Sequence, residues 1–117
     1  MPRDQYDLEE RTETFARNCR QFLKSVQRTH GNIADGKQLI RSSGSVAANY
    51  IEANEALSKK DFRNRIKICR KEAKESGLWL RLLDIEEAAD IDKRRKALNQ
   101  EAIELMKIFG KILHNSE

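Results

Sequence analysis

No proline follows Pro2 in this 117-residue chain, and its glycines number only five. Without internal proline there is no obligatory helix stop. The spacing of apolar residues then decides the local structure. They recur three and four positions apart along most of the length, which predicts helices. No segment of useful length alternates with the period of a strand.

Residues 39–56, LIRSSGSVAANYIEANEA, form the stretch around which the rest is organised. On a helical projection Leu39, Val46, Tyr50, Ala53 and Leu57 make one stripe. Ile40, Gly44, Ala47 and Ile51 make the next, and Arg41, Glu52 and Glu55 share a further strip. A helix apolar or small over most of its circumference is buried on more than one side. Ser43, Gly44, Ala47 and Ala48 leave room for a neighbouring backbone. The stretch reads as the central helix of a bundle, within reach of a second subunit.

Three further helices are expected. The first runs from about Asp7 to Thr29, with Leu8, Phe15, Cys19, Phe22, Leu23 and Val26 facing inward and residues 1–6 frayed. His30-Gly31-Asn32 stops it, with Gly31 taking a left-handed cap. Asp35 or Asn32 caps the second helix, over roughly residues 36–57. Ser58-Lys59-Lys60-Asp61 fits the Ser-x-x-acid capping pattern and starts a third helix with Ser58 as its cap. That helix is expected to reach Glu87, burying Phe62, Ile66, Cys69, Ala73, Ser76, Leu80 and Leu83. Asp90 or Asp92 caps the fourth, over about residues 92–114, which buries Leu98, Ala102, Leu105, Met106, Phe109, Ile112 and Leu113. Short connections between four helices predict an all-α, antiparallel up-down-up-down four-helix bundle. The whole chain, 1–117, makes one domain, as its length suits a single modest core.

The second half of the third helix, GLWLRLLDI, is apolar almost all round. Leu78, Trp79, Leu82 and Ile85 add surface that three neighbours in one short chain do not cover. Such an excess predicts assembly into a homo-oligomer, with Leu78, Trp79 and Leu82 at the subunit interface.

Charge is patterned as well as abundant. Charged residues make up 36% of the chain and the net charge is +4. Residues 59–74 carry eight Lys and Arg against Asp61 and Glu72, residues 84–92 are acidic, and residues 93–96 are KRRK. Lys60, Lys67, Lys71 and Lys74 line up on one face of the third helix, with Arg63 and Arg70 beside them. A row of this kind neutralises phosphates without reading sequence, which makes it the candidate nucleic-acid surface. The plainer reading is a solvated face, or one that pairs with acidic groups elsewhere.

Catalytic and metal chemistry find little support. The carboxylate pairs Glu72/Glu75, Asp84/Glu87 and Glu101/Glu104 lack the Glu-x-x-His motifs of a di-iron bundle, and read as partners of nearby Lys and Arg. His30 and His114 are isolated, each near an expected helix C-terminus. Ser42-Ser43-Gly44-Ser45 lacks the Walker lysine and the preceding strand of a phosphate loop. Cys19 and Cys69 fall on core stripes and read as small buried residues. No enzyme activity, cofactor or small-molecule substrate is therefore expected. No apolar run reaches membrane-spanning length and none resembles a signal peptide, so the expected location is the cytoplasm.

Several segments together carry a family resemblance. They are Ile40-Arg41-Ser42-Ser43, then Ser45-Val46-Ala47-Ala48-Asn49-Tyr50-Ile51-Glu52-Ala53, then Ser58-Lys59-Lys60-Asp61-Phe62. Lys71-Glu72-Ala73-Lys74-Glu75-Ser76 and Trp79-Leu80-Arg81-Leu82-Leu83 follow in order. In this order they resemble the bacterial four-helix-bundle family of 23S rRNA intervening-sequence proteins. Many relatives carry glycine after the Glu of the Asn-x-x-Glu segment, where this chain has Ala53. The resemblance covers about the middle half of the chain. It implies an antiparallel bundle assembled as a ring, a homopentamer. Some relatives are encoded within insertions in 23S rRNA genes, and a similar bundle accompanies the reverse transcriptase of diversity-generating retroelements. Asn49, Glu52, Phe62, Glu72, Glu75 and Trp79 match the family pattern, and their implied role is structural or at the subunit interface. Buried Asn49 and Glu52 would take partners from Arg41 or Lys71. Two functions are then expected in order: a module bound to RNA or a ribonucleoprotein, or a protein-interaction scaffold without nucleic-acid affinity.

Overall fold

The structure, a computed structural model, describes residues 3–117, with side chains from Leu8 onward. Four helices make up the described residues, with no strand: α1 Arg3–Leu23, α2 His30–Asn54, α3 Lys59–Leu82 and α4 Ala89–Asn115. Of the start expected to fray, residues 1 and 2 lie outside the described residues, and the backbone is helical from Arg3.

Boundaries moved wherever a turn has more specific chemistry than periodicity shows. α1 ends at Leu23 rather than Thr29, because Lys24, Ser25 and Val26 turn back on Gln21, Phe22 and Leu23 through tight backbone hydrogen bonds. α2 starts at His30, earlier than expected, because Thr29 is extended and its hydroxyl accepts from the Asn32 amide at 3.1 Å. A side-chain oxygen at this position satisfies a helix donor that otherwise has no partner. Gly31 is therefore helical rather than a left-handed cap, and no glycine has a positive φ among the described residues. His30 opens α2 instead of closing the first helix.

Ser58 caps α3 as expected, accepting from the Asp61 amide at 3.0 Å. α3 stops at Leu82, five residues short of the expected end, because Leu83 turns extended. Glu86 and Glu87 then adopt left-handed φ of 52° and 61°, and the Asp84 carboxylate accepts from the Glu86 amide. α4 begins at Ala89 after Ala88, which makes no side-chain cap. Neither Asp90 nor Asp92 is the cap; Asp92 binds Arg95 and Lys96, and the Arg95 hydrogen bond first, then Lys96, holds its carboxyl below the usual range.

α1 meets α2 and α4, and α3 meets α2 and α4, around one apolar core. Phe15, Phe22, Leu39, Val46, Ile66, Leu80, Leu105 and Phe109 are fully enclosed. Tyr50 and Phe109 approach across it with ring centroids 6.1 Å apart. α2 is buried on its core stripe and at its seams, through Gly36, Ser42 and Ser43. Its second stripe is not buried: Ile40 and Ile51 are exposed, Gly44 and Ala47 only half-covered. A Cβ at Gly44 would meet only the tip of Arg20, at 3.2 Å. Leu57, placed on the inward stripe by its spacing, is 99% exposed because the helix ends before it.

Polar links tie the helices together. Ser42 and Ser76 hydroxyls meet at 2.8 Å between α2 and α3. Arg41 bridges to Glu72 at 2.7 Å and Glu75 at 3.3 Å, and Arg11 of α1 spans Glu101 and Glu104 of α4. Two of the three carboxylate pairs thus hold an arginine from the adjacent helix.

Cys19 and Cys69 are fully buried, and burial pushes both thiols up from 9.0 to about 12. Their unfolded counterparts ionise first as pH rises. Stability from this source is complete below about pH 8.5 and is lost on the way to pH 12. By pH 10 the loss is on the order of 1 kcal/mol per thiol. Urea unfolding at pH 7.5 and pH 10 checks this, and Cys69→Ala should shrink the difference.

Candidate nucleic-acid interface

α3 turns its core stripe inward, so residues on the opposite side of the helix point to solvent. Lys60, Lys67, Lys71 and Lys74 lie there, all exposed. Their Cα positions span about 21 Å at 1.5 Å per residue. Arg70 is exposed beside them, towards α4. None of these five takes part in an ion pair among the described residues. The carboxylates flanking the row have other partners: Glu72 and Glu75 hold Arg41, and Asp61 faces Arg65 at 3.9 Å.

Arg63 stands apart from the row. Its guanidinium donates at 2.6 Å to both the Leu113 carbonyl and the Ser116 hydroxyl, closing the last turn of α4. A cation at a helix C-terminus satisfies carbonyls that have no partner in the helix. The KRRK segment is largely committed in the same way. Arg94 binds Ser25 and lies over the Phe22 ring, Arg95 donates to the Leu83 carbonyl, and Lys96 pairs with Asp92.

The residues assigned to subunit contact fall into two separate places. Asn49 and Glu52 lie at the end of the bundle where α3 begins, and both turn to Arg65: its guanidinium donates to the Asn49 side-chain oxygen at 3.1 Å and reaches Glu52 at 4.0 Å. Glu52 is exposed rather than buried, and its partner is Arg65, not Arg41 or Lys71. Leu78, Trp79 and Leu82 sit at the far end of α3, about 20–25 Å from Arg65 along the helix. Leu78 is 40% and Leu82 53% exposed, while Trp79 is half-covered with its indole N–H buried and without an acceptor.

α4 adds a feature that periodicity along one helix does not reveal. Lys107 and Lys111 are exposed on its outer side. Gly110, between them in sequence, lies close to the Arg70 side chain, its Cβ position 3.9 Å from Cδ. The two lysines, one turn apart, thus stand on the outer side of the helix that packs beside the α3 row. The signal was present in sequence only as outward lysines on an unplaced helix.

Among the described residues no group of His, Cys, Asp and Glu is placed to hold a metal ion. No helix among them is long and apolar enough to cross a membrane.

Comparison with known proteins places this architecture. No curated protein matches the chain. It is similar to a crystal structure of a protein of unknown function from the S23 ribosomal protein family of Bacteroides thetaiotaomicron. The two share 30% identity and a TM-score of 0.78 over 90% of this chain and 96% of that one. The model of the 23S rRNA-intervening sequence proteins matches residues 5–111, and the chain belongs to that family.

Proposed function

We propose that this protein is a non-enzymatic helical module that binds RNA or a ribonucleoprotein through the outward face of α3. The observation carrying the reading is the row of Lys60, Lys67, Lys71 and Lys74, exposed and outside the ion pairs among the described residues. Lysines on a helix hold phosphates as point charges, so binding is weakly sequence-specific and salt-sensitive. The family name, which refers to intervening sequences of 23S rRNA, supports RNA as the partner. The module works in the cytoplasm.

The bundle is read as antiparallel up-down-up-down, assembled into a ring of identical subunits, a homopentamer. Opposed order along neighbouring helices supports the first part: Asn32 meets Asp84, Arg41 meets Glu72 and Asn49 meets Arg65. The exposed Leu78 and Leu82 support the second, since a neighbouring subunit covers them. Repetition around a ring multiplies one modest basic row into a large positive field.

Binding of a structured RNA, followed by anisotropy against salt, tests the reading. Replacing Lys67, Arg70, Lys71 and Lys74 by Glu should abolish binding while leaving the helical circular dichroism signal intact. Unchanged binding would overturn the site. The same apolar residues favour a second reading, a protein scaffold without nucleic-acid affinity. That reading predicts a defined oligomer by light scattering and no polynucleotide shift even at low salt.

A further inference from the structure

We propose that the nucleic-acid surface spans two helices, α3 and α4, and that it takes the phosphate backbone of a duplex rather than a single strand. The inference rests on the preceding reading and adds to it Lys107 and Lys111 and the strandedness of the ligand. Three observations carry it.

The first is the layout. Arg81 donates to Asn99 at 2.9 Å, Arg63 reaches Leu113, and the Arg70 side chain passes Gly110, so α3 and α4 lie side by side over most of their length. Packed helices have axes about 8–10 Å apart. The α3 row and the α4 lysines thus flank one seam as two lines of positive charge. A single strand offers one line of phosphates, whereas a duplex offers two across a groove.

The second is the floor between the lines. It is a shallow furrow of about 190 Å³ that includes Ala73, Gly77, Ala102, Ile103 and Met106. The small and aliphatic side chains there hold no base by stacking, and Arg81, which lines the furrow with Lys74, has its guanidinium bound to Asn99. The third observation extends this: no aromatic side chain is exposed among the described residues, since Phe15, Phe22, Tyr50 and Phe109 are buried and Phe62 and Trp79 half-buried. Binding of single strands depends on such rings as platforms. Charge density points the same way. A duplex carries one charge per roughly 1.7 Å of axis, so the 21 Å row faces about twelve phosphate charges.

The test uses the full-length protein and 20-base-pair RNA and DNA duplexes, each with its single strand, in anisotropy titrations over a salt series. Both duplexes should bind about tenfold or more tighter than the single strands. Lys107→Gln with Lys111→Gln should weaken duplex binding and make its log-log salt slope shallower by about 2. Melting curves of this variant should match the parent, because both side chains are exposed. Single strands binding as tightly as duplexes would overturn the inference. So would an unchanged salt slope in the double variant, if Lys67→Gln with Lys71→Gln still lost affinity; the α3 reading would then survive alone. Binding of the DNA duplex only would support the duplex geometry and overturn the assignment to RNA. Absence of binding to every probe would overturn both readings.

Discussion

Replacing Phe109 by Ala should destabilise the protein by about 3–5 kcal/mol. The ring is fully enclosed and approaches Tyr50 of α2 from α4, so it joins elements that do not otherwise rely on neighbouring seams. Truncation removes transfer free energy and leaves a cavity that four packed helices close only in part. A domain of this size has roughly 5–15 kcal/mol in total, so the loss is a large fraction of it. Urea unfolding followed by circular dichroism measures the change. Leu57→Ala is the informative comparison. Leu57 shares a helical stripe with core residues in sequence but is wholly exposed, and its substitution should stay within about 0.5 kcal/mol. A loss below about 1 kcal/mol for Phe109→Ala would mean that the centre of the core lies elsewhere.

Asn32→Asp should destabilise by roughly 4 kcal/mol at neutral pH. The Asn32 amide nitrogen donates to the Gln27 carbonyl at 2.9 Å and to the Asp84 carbonyl at 2.8 Å, and its oxygen accepts from the Asp84 amide at 2.9 Å. One buried side chain therefore locks the turn before α2 to the turn after α3. A carboxylate of the same shape loses both donors and sets its charge against two carbonyl oxygens. The position lies in the first turn of α2, where the helix dipole favours an anion by about 0.3–1 kcal/mol. Desolvation and the two stranded carbonyls outweigh that gain. Protonation relieves part of the penalty, so the defect should be smaller at pH 4 than at pH 7. Equal stability of variant and parent at pH 7 would show that the two turns are held by other contacts.

The inward residues of α1, α3 and α4 were legible from spacing because each helix buries one side. Leu8, Phe15, Cys19 and Phe22 of α1 are buried as their spacing indicates, and so are Ile66, Cys69, Ala73, Ser76 and Leu80 of α3. The Ser58 cap was legible because its partner lies three residues away. Thr29 was missed because Gly31, the second residue of its helix, reads more readily as a stop. The early end of α3 was missed for a related reason. Asp84-Ile85-Glu86-Glu87 continues a helical pattern, while the buried Asn32 amide and the Arg95 guanidinium bind Asp84 and Leu83 only in the extended course.

Residues 39–56 changed most in meaning. Their small residues suggested close contact on several sides; Ser43 is buried as expected, with Ser42 beside it, while Gly44 and Ala47 are half-covered and Ala48 is exposed. The stripe of Ile40 and Ile51 is left open to solvent. Sequence alone determined that the chain is helical, where most of its core lies and that α3 carries a lysine row, because these depend on residues one or two turns apart. Tertiary structure decided which cations remain outside ion pairs. Arg63, Arg41 and Arg11 are engaged by groups 31 to 93 positions away, whereas Lys67, Lys71 and Lys74 are not. It also decided that the helix carrying Lys107 and Lys111 packs beside α3. The strength of a charge depends on what surrounds it in space, and neighbours on another helix have no fixed offset in sequence.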